Sequence, residues 1–451
     1  MEEKIFKAYD IRGIFPNELD EEAAYKIGQA FVLFLKKSRV HSFELTKTSN
    51  PKIVIGMDNR LSSGVLSIAL QKGIMEQGGD IVDIGFCTTP MFYFTVAKFD
   101  YDGGLMITAS HNPPEYNGFK MVNKGGIPIS DDTGIKEIKE MALLGKFEPI
   151  ATMGSKEKKD VMPDYIQDNQ INEDFNFTIV VDTANSVSGV PIKRMLNKIP
   201  LIHIFDELDG NFPNHMPDPL KMENMRCLQV GVKAANANLG VAFDGDGDRI
   251  FFVDEDGQVI TPDLILALMS SIILKKKGKQ KILYDLRCGN IVPETIKKWG
   301  GEAIITRVGH SFIKEVMRKE DAIFGAEFSG HFFYKNAFYS EAPFFVLFSV
   351  LSEMKKTGKT LSQLIAPFRK YFHSEEINFK IKNPQEKIKE IKEKYSNGTV
   401  SEFDGLRIDF SDWWLLVRSS NTEPVLRLII EAETQFMMDK KLDELSKIIN
   451  E

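Results

Sequence analysis

The sequence has few cysteines, no long apolar run and no excess of positive charge. Its 451 residues include three cysteines, Cys87, Cys227 and Cys288, without the close spacing of a zinc site or a disulfide framework. Glu2 and Glu3 stand before any apolar segment, whereas a secretory signal begins with basic residues and continues with an apolar stretch. These features favour a reducing compartment, and we expect a cytoplasmic protein.

The longest apolar runs are too short to span a membrane. Leu264–Leu274 and Pro343–Leu351 fall well short of the roughly 20 residues that a membrane helix needs. We interpret both runs as buried helices and expect no membrane partner. The formal charge of −7 also argues against a nucleic-acid partner, because neutralising a phosphate backbone needs an excess of Lys and Arg.

The length requires several domains. A single hydrophobic core stops growing at about 250–300 residues, so this chain should hold three or four domains. Three segments begin with an apolar strand that ends in Asp and continue through a turn and a helical stretch to a second strand. Their first strands are Ile53–Asp58, Ile179–Asp182 and Ile282–Asp285. This alternation is typical of α/β units on mixed, largely parallel sheets.

The pattern changes near residue 370. Strands at Ile377–Ile381, Trp413–Val417 and Val425–Glu431 are combined with helices at Gln385–Tyr395 and Met437–Ile449, which predicts a smaller α+β domain. The fold class is therefore α/β, with three tandem α/β domains and a smaller C-terminal α+β domain. The predicted domains are residues 1–150, 151–254, 255–368 and 369–451.

The segment Thr108–Lys120 follows an apolar strand, at the place where α/β proteins carry their sites. It offers a hydroxyl at Ser110, an imidazole at His111, amide groups and the ammonium of Lys120. A nucleophile beside a base is one interpretation. The other is an ordinary polar loop, because Ser-His-Asn-Pro and Asn-Gly are turn-forming sequences.

A second segment places Asp244, Asp246 and Asp248 at alternate positions, with glycines between them and Arg249 after them. Three carboxylates so spaced can converge on one hard cation. An EF-hand loop would use Glu255 at its last position, but Arg249 then stands where the sharp turn needs Gly, and the flanks are strand-like. A purely structural acidic turn is the other alternative, although close carboxylates repel each other without a cation.

Three further strings are weaker alone. Gly325–His331 offers Glu327 and Ser329 to sugar hydroxyls, or is a strand-end turn with a solvated Glu. Arg418–Pro424 offers a guanidinium fork and hydroxyls to a phosphate, or is a hairpin loop with a solvated Arg. Lys7–Gly13 places cations and a tyrosine near the N-terminus, or is an ordinary first strand.

Together, and in this order, the five strings strongly resemble the α-D-phosphohexomutase superfamily, and closely its phosphomannomutase/phosphoglucomutase branch. The resemblance spans the chain from Lys7 to Pro424. It implies a magnesium-dependent isomerase that acts on mannose or glucose phosphates, with four domains around a central cleft and one loop from each. The Tyr116–Lys120 form favours this branch over the glucosamine branch, whereas Ala326, Phe328 and Tyr339–Glu341 depart from common patterns.

The resemblance also implies roles for residues. Ser110 resembles the phosphoryl-carrying serine, with His111, Asn112 and Lys120 beside it, and Ser110 and the three aspartates resemble the magnesium ligands. Arg249 matches a phosphate or sugar contact, and Lys120 and His310 are candidates for general base and acid. The remaining substrate contacts are Tyr9, Arg12, Arg287, Glu327, Ser329, His331, Arg418, Ser420, Asn421 and Thr422.

The implied reaction passes from a phosphoserine enzyme through a hexose 1,6-bisphosphate, which also serves as activator, to a product with the phosphate at the other position. Small-molecule sugar phosphates are the expected partners, and we expect a monomer or a homodimer. The alternatives are a phosphoglucosamine mutase-like enzyme and a catalytically silent sugar-phosphate-binding protein.

Overall fold

The computed structural model describes residues 1–41, 50–171, 173–419 and 425–450. The chain forms two compact units, one of Met1–Ile260 and Ser329–Ser362, the other of Thr261–Phe328 and Gln363–Glu451. Three α/β domains followed by a C-terminal α+β domain are present, as the sequence predicts. No helix in the described part of the chain is long and apolar enough to cross a membrane.

The first domain is built on a mixed seven-stranded sheet. Strands Lys52–Met57, Asp80–Phe86 and Gly103–Ile107 are parallel neighbours, and Tyr116–Asn123 returns antiparallel beside Gly103–Ile107. The other strands are Ile11–Ile14, Ile127–Pro128 and Lys156–Lys158. Its α-helices are Glu21–His41, Ser63–Glu76, Thr89–Lys98 and Lys136–Leu144.

Apolar side chains on one face of this sheet pack with those of the covering helices into a core that includes Phe31, Ile55, Leu70, Leu105 and Phe119, each at most 1% exposed. The central strands are buried along almost their whole length, so their Val- and Ile-rich runs match the continuous apolar pattern of parallel strands. Parallel pairing brings the carboxyl ends of the strands to one edge of the sheet. Asp58 and Thr108 both emerge there.

The second domain contains a five-stranded sheet whose central pair, Ile179–Asp182 and Leu239–Phe243, is parallel. Leu239–Phe243 then pairs antiparallel with Ile250–Asp254, so the loop of the three aspartates connects two adjacent strands. The remaining strands are Leu201–Ile204 and Val259–Ile260, and the α-helices are Met162–Asn169, Gly189–Met195 and Arg226–Ala234. Within the same compact unit, Phe332–Tyr334 and Ser340–Glu341 form an antiparallel pair, followed by helix Pro343–Thr357.

The second unit begins with an α/β region in which Lys281–Asp285 pairs parallel with Glu302–Thr306 and with Phe324–Ala326. Its helices are Pro262–Lys277, Ile291–Lys298 and His310–Glu320, and a short helix Leu361–Ile365 comes later in the chain. Helices Pro262–Lys277 and Pro343–Thr357 are mostly buried, which confirms the interpretation of the two apolar runs.

The C-terminal domain has an antiparallel sheet with Val425–Ala432 and Trp413–Ser419 at its centre. Its other strands are Phe372–His373, Ile377–Lys380, Thr399–Ser401 and Leu406–Asp409, and its helices are Pro384–Lys394 and Gln435–Asn450. Every second residue of strand Trp413–Ser419, namely Trp413, Leu415 and Val417, packs against these helices. The predicted strands and helices are present here, with ends that differ from the prediction by at most two residues.

Candidate active site

Ser110 lies in the loop after strand Gly103–Ile107 and has a left-handed backbone, with φ of 49°. Such a conformation costs a residue other than Gly about 1–2 kcal/mol, so neighbouring contacts must hold it. The backbone N–H of Ser110 donates to Thr108 Oγ1 at 2.9 Å. Its side chain donates to Asp244 Oδ2 at 2.7 Å and lies 3.3 Å from Nδ1 of His111. The hydroxyl is therefore held directly against the acidic loop.

Asp244, Asp246 and Asp248 converge as the alternate spacing predicts. One oxygen from each lies within 4.8 Å of the others, and all three side chains are buried. Gly245 permits this approach, since a Cβ there would lie 2.2 Å from the carbonyl oxygen of Ser110. Among the described residues, Oδ1 of Asp246 has no hydrogen-bond partner although it is buried. Three hard oxygen donors and an orphaned carboxylate oxygen fit a divalent cation such as Mg²⁺.

Positive groups surround the aspartates. Nζ of Lys120 lies 2.6 Å from Asp246 Oδ2 and 2.5 Å from Asp248 Oδ2. Burial alone would raise the pKa of Asp248, but Lys120 and His331 outweigh it and hold the pKa well below its usual range. For Asp244, burial and the neighbouring carboxylates raise the pKa instead. This repulsion is the strain that a bound cation removes.

Arg249 and His331 also lie at the acidic loop. Nε2 of His331 lies 3.1 Å from Asp248 Oδ1, and Nδ1 of His331 lies 2.9 Å from Oγ of Ser329. Arg249 contacts the same imidazole through Nε at 3.4 Å. Nη1 of Arg249 is buried and, within the described part of the chain, lacks a hydrogen-bond partner. The first unit thus gathers several cationic side chains near Ser110.

His111 is partly buried, and this burial together with the charges of Arg249 and Arg12 lowers its pKa well below the usual value. Arg12 lies on strand Ile11–Ile14, where Nη1 donates to Asn112 Oδ1 at 2.5 Å and Nη2 pairs with Asp10. Tyr9 lies just before this strand and is partly buried. The N-terminal string is therefore both a first strand and a neighbour of the serine loop.

The sequence interpretation missed Arg60. Its guanidinium donates to the backbone carbonyls of four residues in the serine loop, namely Ser110, Asn112, Pro113 and Tyr116, at 2.6–3.1 Å. Asp58 accepts from its Nε at 3.2 Å. The sequence does show Asp58-Asn59-Arg60 at the end of an apolar strand. It does not show that Arg60 binds backbone carbonyls, because every residue carries one.

In the second unit, Glu327 is 2% exposed and accepts from the backbone N–H of Gly309 at 2.7 Å. A solvated turn residue is therefore the wrong interpretation of Glu327. Nη2 of Arg287 lies 4.0 Å from its carboxylate. His310 follows Gly309 directly and begins helix His310–Glu320. Glu327 therefore lies beside Arg287 and beside the start of the helix that carries His310.

Arg418 is partly buried and forms an ion pair. Its Nη2 lies 2.9 Å from Asp404 Oδ2, and Asp404 accepts from the backbone N–H of Val308 as well. The predicted contacts Ser420, Asn421 and Thr422 lie outside the described residues. The sugar pair is divided between the units, with Glu327 in the second and Ser329 in the first.

The EF-hand alternative fails on Glu255. Its carboxylate accepts from the hydroxyl of Ser362 at 2.5 Å and from the same residue's backbone N–H at 3.2 Å. The metal-cluster geometry includes only Asp244, Asp246 and Asp248 among the described residues.

Comparison with known proteins covers nearly the whole chain. Family models described as phosphoglucomutase/phosphomannomutase match it in four consecutive pieces. Residues 3–147, 160–257 and 261–371 match α/β/α domains I, II and III, and residues 376–447 match the C-terminal domain.

Relatives and solved structures agree. The chain is 41% identical to the phosphomannomutase of Methanocaldococcus jannaschii, over 99% of this chain and 97% of the relative. It is 38% identical to the phosphomannomutase of Vibrio cholerae, over 98% of both chains. A crystal structure of a phosphoglucomutase/phosphomannomutase family protein from Burkholderia thailandensis superposes with a TM-score of 0.88 at 32% identity, covering 99% of this chain and 97% of that one.

The fold and these matches define an enzyme of the phosphosugar mutase class. The chain belongs to the phosphohexomutase superfamily, as its five motifs predict. Members of this superfamily generally depend on magnesium, and the aspartate cluster described above could bind it.

Proposed function

We propose that this enzyme interconverts the 1-phosphate and 6-phosphate of mannose, glucose or both, through a phosphoserine at Ser110 and a hexose 1,6-bisphosphate. The observation that carries the proposal is the 2.7 Å hydrogen bond from Ser110 Oγ to Asp244 Oδ2, because a phosphoryl group on this oxygen would lie beside the buried carboxylates. The bisphosphate would serve both as intermediate and as activator that restores the phosphoserine.

Asp244, Asp246 and Asp248, with an oxygen on Ser110, would hold the Mg²⁺. When bound, the cation neutralises phosphate charge and stabilises the charge that spreads over the phosphoryl oxygens during transfer. The protein's own contribution is positioning and charge. The buried Nη1 of Arg249 supports the role of this residue as a phosphate or sugar contact. His111 lies 3.3 Å from the hydroxyl oxygen of Ser110, and Lys120 lies against Asp246 of the acidic loop.

We assign the proposed substrate contacts to two groups of residues, one in each compact unit. In the first unit these are Tyr9, Arg12, Ser329 and His331. In the second unit Glu327 and Arg287 would bind sugar hydroxyls and phosphate, and Arg418 would bind the phosphate that is not being transferred. Lys120 and His310 are our candidates for the proton transfers at the reacting hydroxyls.

The reaction would begin with transfer of the phosphoryl group from Ser110 to the free hydroxyl of the sugar phosphate. The resulting bisphosphate reorients, and its other phosphate returns to Ser110. One phosphate-binding loop then serves both ends of the sugar. Exclusion of water protects the phosphoserine from hydrolysis. We also propose that the enzyme is cytoplasmic, which its three free thiols support, because cysteines stay reduced in that compartment. We expect it to be a monomer or a homodimer.

Turnover tests this proposal. Purified enzyme with Mg²⁺ and a trace of hexose 1,6-bisphosphate should convert mannose 1-phosphate or glucose 1-phosphate to the 6-phosphate. A preference for glucosamine phosphate would instead make it a phosphoglucosamine mutase. Binding of all three sugar phosphates without turnover would make it a silent binding protein.

A further inference from the structure

The three α/β domains share a turn at the end of a central strand. Asp58, Asp182 and Asp285 each accept, through Oδ1, the backbone N–H of the residue two positions later, at 3.0, 2.9 and 2.8 Å. That residue is Arg60 in the first domain and Arg287 in the third, but Ala184 in the second. Because Ala184 completes the same turn, the turn itself does not require an arginine side chain.

The guanidinium of Arg60 has no capacity left for a ligand. An arginine side chain has five N–H donors. In Arg60 they meet five acceptors, which are Asp58 Oδ2 and the backbone carbonyls of Ser110, Asn112, Pro113 and Tyr116. The residue is 2% exposed, with the ring of Phe212 5.1 Å from the guanidinium carbon. Arg287 differs, since the hydrogen bonds that its side chain donates to described residues go to Asp285 alone.

We propose that Arg60 is a positioning residue for phosphoryl transfer, which fixes the loop 110–116 so that the hydroxyl of Ser110 stays directed at the metal-binding aspartates. This inference deepens the proposed function and rests on Ser110 as the phosphoryl carrier. Arg60 itself touches neither substrate nor metal.

The need for such a residue follows from the backbone of Ser110. Its φ of 49° is unfavourable for a side chain with a Cβ, and a relaxed loop would return to negative φ. Nη2 of Arg60 holds the carbonyls of Ser110 and Asn112 at 2.8 and 2.6 Å, on both sides of His111. Fixing both carbonyls prevents the peptide rotation that would move the Ser110 hydroxyl away from Asp244.

Arg60→Lys is the discriminating change, because Lys keeps the charge but has three donors on one nitrogen and lacks the planar fork. We expect kcat to fall about 100-fold, since small misplacement of a reacting group costs that much. KM should stay within about threefold, because the substrate contacts are untouched. In Arg60→Ala, added guanidinium ion at millimolar, non-denaturing concentration should restore part of the lost kcat.

The matched control is Ile27→Val, a core change on helix Glu21–His41 that destabilises the same domain away from the loop. It should lower the melting temperature while leaving kcat per folded molecule unchanged and insensitive to guanidinium. Should Arg60→Lys fail to fold, Asp58→Asn is the second test, because it removes the ion pair but preserves an acceptor for the turn. A loss of about tenfold in kcat at unchanged KM is then expected.

Phosphorylation by hexose 1,6-bisphosphate, read by intact mass, separates this inference from the proposed function. An unmutated enzyme that never gains a phosphate on Ser110 overturns the proposed function itself. If the unmutated enzyme does gain this phosphate but Arg60→Lys or Asp58→Asn has a normal kcat, only the role of Arg60 is overturned. A raised KM at normal kcat would also overturn it, by showing that Arg60 binds substrate.

Discussion

Asp404 and Arg418 form an ion pair, with Oδ2 of Asp404 2.9 Å from Nη2 of Arg418 and its backbone carbonyl accepting from Nε at 3.0 Å. The same carboxylate accepts from the backbone N–H of Val308, two residues before His310. One acidic side chain therefore links the proposed phosphate clamp to the loop that carries His310. Because Asp404 takes up the fork of Arg418, an incoming phosphate must compete with it.

Arg418→Lys should raise KM about tenfold and change kcat less, since the planar fork is lost and a charge-assisted hydrogen bond contributes about 1.5–3 kcal/mol. The matched control is Arg427→Lys. Arg427 is the cross-strand partner of Arg418 and pairs with Glu376 instead of Asp404. Steady-state kinetics of both variants test whether Arg418 binds substrate. Equal KM values for the two variants would show that Arg418 does not contact the substrate.

Asp246→Asn should weaken Mg²⁺ binding by about tenfold to 100-fold, because one of three carboxylate charges is lost. Activity should recover partly at high Mg²⁺. Calorimetric titration of the metal checks the affinity, with Asp256→Asn in the exposed turn that follows strand Ile250–Asp254 as control. If the unmutated enzyme stays fully active after thorough chelation, the aspartates do not serve a catalytic metal.

Gly245→Ala should destabilise the loop or abolish activity, because the new Cβ would lie 2.2 Å from the carbonyl oxygen of Ser110 and backbone must move. Overpacking of this kind costs about 1–3 kcal/mol. Gly64→Ala is the matched control, since a Cβ there meets nothing within 4 Å on helix Ser63–Glu76. Chemical denaturation and turnover should show a clear loss for the first variant and none for the second.

The His215–Asp182 pair should make stability depend on pH. Burial lowers the pKa of His215, but the hydrogen bond and charge of Asp182, 3.1 Å away, outweigh it, so the pKa is raised. A raised folded-state pKa stabilises the protein fully below the unfolded value near 6.5 and loses this contribution as pH rises through the folded value.

His215→Gln should therefore lower the melting temperature more at about pH 5.5 than at about pH 8.5. Thermal unfolding of both proteins at both pH values gives this double difference directly. A larger effect at the higher pH would show that the neutral imidazole is the stabilising form.

Much of the fold follows from sequence because the strands that end in Asp58, Asp182 and Asp285 are buried on both faces and read as continuous apolar runs. The acidic loop could also be predicted from the sequence, because its chemistry depends on side chains at a fixed spacing. The three boundaries between the four domains stay a prediction.

Other parts of the site could not be read in this way. Arg60 acts on backbone carbonyls, which every residue has, so no partner residue type reveals it. Asp404 and Arg418 are 14 positions apart and meet only because strands Leu406–Asp409 and Trp413–Ser419 pair. The left-handed φ of Ser110 depends on contacts with Thr108 and Arg60 rather than on local propensity.

The central claim is that Ser110 carries the phosphoryl group. Incubation of the enzyme with hexose 1,6-bisphosphate and Mg²⁺, followed by intact-mass measurement and peptide mapping, tests it most directly. The account predicts one added phosphate, located on Ser110 and removed by phosphatase. This phosphate should be absent in Ser110→Ala and unchanged in the partly buried control Ser130→Ala. A phosphate on another residue, or near-normal mutase turnover by Ser110→Ala, would contradict it.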